Sequence, residues 1–166
     1  MLVEGSVTIE NTLDEQAMAN VCVVTGNVTV AANGMTAISL PVLASVGGNV
    51  VIQRDDALTS FSLSVLASVG GDVGIQENFA LTSISMPVLA SAAGGVFIES
   101  NPNLTSISLP VLESAAGGVV IQSNATLTSF SLPVPASVGG DVVIQSNAAL
   151  TTCTGALIVN VGDCVQ

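Results

Sequence analysis

The segment LTSFSLSVLASVGGDVGIQENFA occupies residues 58–80 and recurs with few changes on either side of itself. Leucines stand at Leu58, Leu81, Leu104, Leu127 and Leu150, and Met35 takes the same place one period earlier, so the interval is an unbroken 23 residues. Strict self-similarity at a period of about 20–50 residues is the mark of a solenoid, a propeller or an array. Inside the repeat the apolar residues alternate. Residues two apart share one side of a strand, so Phe61 with Leu63, and Val73 with Ile75, point one way while Ser62 and Gly74 point the other. Each repeat thus predicts two strands, with Leu58, Phe61, Leu63, Leu66, Val69, Val73 and Ile75 inside and Asn78 at a bend.

Between the strands lie small and turn-forming residues, Gly70-Gly71 among them, and proline follows the first strand at Pro41, Pro87, Pro110 and Pro133, where it limits strand length. No inter-strand segment is long enough, or carries a 3.6-residue period, for a helical crossover. The expectation is an all-β solenoid of 23-residue coils rather than a helix-bearing leucine-rich repeat. One coil cannot bury enough surface to fold alone, so the coils must stack and the ends need caps.

The chain divides on this reading into an N-terminal cap with a degenerate coil (1–34), five full repeats (35–149) and a C-terminal cap (150–166), all one domain. In the first part, residues 4–10 (EGSVTIE) read as a short strand through Val7 and Ile9. Thr12-Leu13-Asp14-Glu15 reads as a capping box opening a short helix over 13–20, with Leu13, Ala17 and Val21 covering the open end of the stack. In the last part, 155–161 can add a final strand, and a Cys153–Cys164 link would hold it over the exposed edge in an oxidising compartment. Cys22 would then stand alone.

Composition excludes several classes. Hydrophobic residues make up 49% of the 166-residue chain and charged residues 8%, the reverse of a disordered segment. No apolar run approaches a membrane span, because Ser, Thr, Gly and Asn interrupt every stretch. Twelve acidic residues face one basic residue, Arg54, for a formal charge of −11, which repels phosphate backbones and anionic membranes. Neither a nucleic-acid partner nor membrane insertion is expected. Histidine, tyrosine and tryptophan are missing from the chain, and carboxylates are not paired at any fixed position, so no enzyme, cofactor or metal is expected. Asp72 and Asp141 share a repeat position, but Asn49, Gly95 and Gly118 interrupt the row, which argues against a calcium solenoid. Residues 1–5, MLVEG, lack the basic and apolar regions of a leader, consistent with a mature or excised piece.

Three rows remain. Asn78, Asn101, Asn124 and Asn147 form an asparagine ladder, with Asn33 at its degenerate start and Asp55 replacing one member; an amide can both donate to and accept from adjacent coils, so these residues are structural. Ser60 and Ser62, Ser83 and Ser85, Ser106 and Ser108, and Ser129 and Ser131, continued by Thr152 and Thr154, form an outward Ser-x-Ser ladder whose hydroxyls would repeat every ~4.8 Å. It is the candidate binding face, suited to a repetitive surface such as ice or a crystalline polysaccharide, or simply a solvated strand face. Val51, Gly74, Phe97, Val120 and Val143, flanked by Gln53, Gln76, Glu99, Gln122 and Gln145, form an alternative contact stripe for a protein partner or a second copy. Of three sequons, at Asn27, Asn103 and Asn124, the last belongs to the ladder and should be silent.

The phrase Leu-Thr-Ser-Ile-Ser-Leu-Pro-Val-Leu, with Gly-Gly-Asp-Val-Val-Ile-Gln-Ser-Asn, resembles the repeats of receptor L-type domains, especially those of fungal GPI-anchored cell-wall proteins and of some bacterial surface proteins. The opening, 4–9 followed by Cys22 and 25–28, is similar to the start of such a domain. The resemblance implies a right-handed β-solenoid placed extracellularly or at the cell surface, with a non-enzymatic role in adhesion, wall structure or partner recognition. An ice-binding protein using the Ser-x-Ser ladder is the alternative. The expected partner is accordingly a surface polymer, a protein or ice.

Overall fold

A computed structural model describes residues 1–31, 34–132 and 137–154, the last three as backbone. The described residues form a β-solenoid built almost wholly of short parallel strands, with one short helix among them. Each coil contributes three strands rather than the two expected. In the repeat at 58–80 these are Ser60–Ser62, Ser68–Val69 and Val73–Gln76. The middle strand is only two residues long and lies in a Ser-Val or Ser-Ala segment, too short to show any alternation in the sequence.

Stacking generates three faces. Face A is a seven-stranded sheet of the short middle strands, from Leu2–Val3 through Val23–Val24, Ser45–Val46 and so on to Ser137–Val138. Face B is a second seven-stranded sheet running from Val7–Ile9 through Val28–Val30 and Val50–Gln53 to Val142–Gln145. Face C carries the Ser-x-Ser strands in two blocks: Ala37–Ser39 with Ser60–Ser62, then Ser83–Ser85, Ser106–Ser108, Ser129–Ser131 and Thr152–Thr154. Every pairing is parallel and joins a strand to its counterpart one coil away. Val73 faces Val96, Val96 faces Val119 and Val119 faces Val142, all 23 apart. The first coils are shorter, with Val7 opposite Val28 and Val28 opposite Val50, offsets of 21 and 22.

The core follows the alternation. Leu58, Phe61, Leu63, Leu66, Val69, Val73 and Ile75 are all buried, as are their equivalents in the coils at 35–57, 81–103 and 104–126, in one hydrophobic cluster that runs from Ile9 to Leu150; in the following coil Val138 is half-buried against it. Asn78, Asn101, Asn124 and Asn147 are buried with them. The residue before each of these, Glu77, Ser100, Ser123 and Ser146, has a φ of 57–58°, and this left-handed step turns the chain inward so that the next side chain enters the core. Glycine marks close contact at another bend: a Cβ on Gly71 would lie 2.0 Å from the Asn49 Oδ1, which accepts from the Asp72 N–H at 2.8 Å.

The N-terminal cap departs from expectation. Helix α1 (Thr12–Ala17) is capped by Asn11, whose side chain accepts from the Leu13 and Asp14 N–H groups. Thr12 is therefore the first helical residue. Glu15, expected to reach back and close a capping box, instead accepts from the Ser39 N–H at 2.6 Å and ties the helix to the first strand of face C. Leu13 is 73% exposed, and Met18 and Val21, just after the helix, are the buried residues. The apolar contact thus comes from the turn following the helix, since a helix of six residues has too few turns to present a stripe. The proposed last strand at 155–161, the Cys153–Cys164 link and Asn33 lie outside the described residues.

Candidate functional site

Face C is built by alternation. Phe61, Ile84, Ile107 and Phe130 turn into the core, which turns the serines on either side outward. Ser60, Ser62, Ser83, Ser85 and Ser131 are exposed; Ser106, Ser108 and Ser129 are half-buried. Ser83, Ser106 and Ser129 stand in register, as do Ser85, Ser108 and Ser131, without a slip. The backbone pairing extends to Thr152 and Thr154, whose side chains lie outside the described structure. The strand register runs from Ser83 to Thr154, and the sheet is interrupted between Ser60–Ser62 and Ser83–Ser85. There the coils are joined by the Thr82 N–H to the Thr59 carbonyl, 3.2 Å.

A further row on this face escaped the sequence reading. Thr59, Thr82, Thr105, Thr128 and Thr151 are all exposed. Each hydroxyl donates to the backbone carbonyl of the equivalent threonine one coil earlier: Thr59 to Thr36 at 2.8 Å, Thr82 to Thr59 at 3.2 Å, Thr105 to Thr82 at 2.9 Å, Thr128 to Thr105 at 3.1 Å and Thr151 to Thr128 at 3.4 Å. Strict alternation would put Thr59 on the same side as Phe61. The strand begins only at Ser60, however, so threonine sits on the bend and turns out. Its invariant place in Leu-Thr-Ser or Leu-Thr-Thr was the available signal.

On the other side of the serines, Val42, Val65, Val88 and Val111 are 37–41% exposed, beside exposed Pro41, Pro87 and Pro110. This apolar row was also missed, because the Pro-Val-Leu turn follows the end of the alternation. Between Ala57 and Val65, and at the equivalent positions of the coils at 80–88 and 103–111, no residue is charged. An acidic chain thus presents one broad strip of hydroxyl, methyl and valine groups without charge.

Face B carries the second candidate row. Val51, Gly74, Phe97, Val120 and Val143 align and are half-buried. Gly74 leaves open space beside Phe97, whose ring instead lies over Gly95. The flanking amides and acids bond along the stack, Gln76 to Glu99 at 3.2 Å and Gln145 to Gln122 at 2.8 Å. Arg54 pairs with Glu77 across one coil step at 2.9 Å, with both side chains largely in solvent. Such a pair adds little stability.

The asparagine row is structural in its detail. The Asn101 side-chain N–H groups donate to the Ile75 carbonyl (3.0 Å), the Glu99 carbonyl (3.1 Å) and the Asn124 Oδ1 (3.2 Å), while its own Oδ1 accepts from the Asn78 backbone and side chain. Asp55 occupies the same buried position, and its N–H donates to the Asn78 Oδ1 at 3.3 Å. Asn124 is fully buried, whereas Asn27 and Asn103 are exposed. Asp72 accepts from the Gly95 N–H at 2.7 Å, so this acid is used in joining coils.

Face A holds a shallow groove of about 380 Å³, lined in part by Ser45, Ser68, Ser91 and Ser114 and floored by Val46 and Val69. Among the described residues no group of three or more His, Cys, Asp or Glu side chains is placed to hold a metal, and no helix is long and apolar enough to cross a membrane. Among the described residues Cys22 is exposed and a free thiol.

The fold and its faces define the class as a β-solenoid repeat protein. Compared with protein-family models, curated proteins and solved structures, the chain matches none.

Proposed function

We propose that this chain is a non-catalytic repeat protein of the receptor L-domain-like kind, working outside the cell or at its surface, where face C binds a repetitive surface or partner. The observation that carries the reading is the register of face C: serines at identical offsets of 23 residues, exposed or half-exposed, on a strip without charge. A pocket enzyme needs convergent groups in a concavity, whereas rows repeated along a stack offer many weak, equivalent contacts that gain strength by acting together. The resemblance of the Leu-Thr-Ser-Ile-Ser-Leu-Pro-Val-Leu phrase to cell-surface repeats supports the placement and the role in adhesion or wall structure.

The test is retention of the purified chain on a panel of insoluble cell-wall polysaccharides, a glycan array and ice. Retention on one member, saturable and resistant to washing, is expected. A folded chain retained by none of them contradicts the proposal.

A further inference from the structure

We infer that the surface recognised by face C is ice, and that the threonine row is its principal line of contact. This rests on face C being the binding face and goes further by choosing its ligand. Of the four phenylalanines Phe61 and Phe130 are buried and Phe97 lies on face B, while Phe79 stands exposed at the bend before the strip, a place that other coils give to Asp56, Pro102 and Ala125. Face C therefore offers none of the aromatic or arginine anchors that dominate protein interfaces, and no concave, aromatic-lined site for a sugar ring. It also offers no charge to an ionic polymer. A neutral lattice of water remains the ligand that fits what is there.

The geometry is two-dimensional. Equivalent residues repeat every ~4.8 Å along the stack, and the two serines of each strand lie ~6.7 Å apart along the chain, intervals comparable with oxygen spacings on ice faces. The threonine hydroxyls are fixed by donating to the preceding coil. Each therefore keeps its acceptor lone pairs, and its methyl group, in one repeated orientation. Fixing side chains beforehand removes the ordering cost that binding would otherwise carry. Across the serines from them the Val65, Val88 and Val111 row adds apolar groups, around which water is already ordered. Hydroxyl acceptors and threonine methyls bordered by an apolar row on one repeated grid can hold a lattice of water in place.

The test uses the whole chain. Partition into a slowly growing ice hemisphere, and thermal hysteresis with recrystallisation inhibition, are measured for the wild type, Thr105→Tyr, Ser85→Tyr and the face B control Val120→Tyr, each checked for β-structure by circular dichroism. Wild type and Val120→Tyr should enter the ice and inhibit recrystallisation. Thr105→Tyr and Ser85→Tyr should lose both activities while remaining folded. Exclusion of the folded wild type from ice, or unchanged activity in both face C variants, overturns the inference. Exclusion from ice with firm retention on crystalline cellulose or chitin overturns the choice of ice and leaves face C as a polymer-binding face; failure on every surface overturns both.

Discussion

Asn101 sits where the stack is most exacting. Its side chain closes three donor contacts and accepts two, all within a buried bend. Truncation leaves the Asn78 backbone N–H without its acceptor in a dry interior, where such a group costs about 1–3 kcal/mol, and removes the amide contacts to the Ile75 and Glu99 carbonyls and the Asn124 Oδ1, while the Asn78 amide keeps the Ile52 carbonyl. Asn101→Ala should lower the unfolding free energy by about 3 kcal/mol or more, read as a fall in the denaturant midpoint at unchanged slope. A loss below about 1 kcal/mol would mean that the ladder is not the joint between coils. Asp55 takes the same buried place one coil before Asn78, and its backbone N–H still joins the row through the Asn78 Oδ1. The ladder was legible in the sequence because a polar residue returned every 23 positions beside an apolar run. The left-handed step before it was not, since Glu77, Ser100 and Ser123 are not the residues by which such a conformation is usually recognised.

The elements were legible in proportion to their length. Val73–Gln76 and Ser60–Ser62 alternate over enough residues to show which side is apolar, whereas Ser68–Val69 does not, and face A went unseen. Threonine and valine at the two margins of face C were missed for a related reason, since both stand where the strand has ended and period two no longer applies. Helix α1 was foreseen, but its cap was displaced by one residue, because Asn11 and Thr12 are both competent and only the backbone chooses between them. Two substitutions check that assignment. Asn11→Ala should cost about 1 kcal/mol, whereas Leu13→Ser, at an exposed site, should stay within about 0.5 kcal/mol. The reverse order in thermal melts would restore Leu13 as the covering residue.

Across the molecule each coil is bonded to its neighbours along the stack, so stability is a sum of coil terms and nearest-neighbour interfaces. Coils in the middle have two partners, and the first has one. Amide hydrogen exchange should therefore be slowest in Val96–Glu99 and fastest in Leu2–Val3, by at least about tenfold, which corresponds to about 1.4 kcal/mol of local opening free energy. Equal protection throughout would instead indicate a single all-or-none unit. The same stacking multiplies every outward residue. A bend or strand that places one serine or threonine outward repeats it at a constant interval, and the fold turns a short string into a patterned surface. The binding role assigned to that surface is tested most directly by comparing one bulky residue on each of two faces, Ser85→Tyr on face C and Val120→Tyr on face B, for retention on the surface that holds the wild type. Loss of retention in Ser85→Tyr alone, with equal thermal stability in both variants, is the predicted result. Equal retention of the two variants, or loss confined to Val120→Tyr, would contradict it.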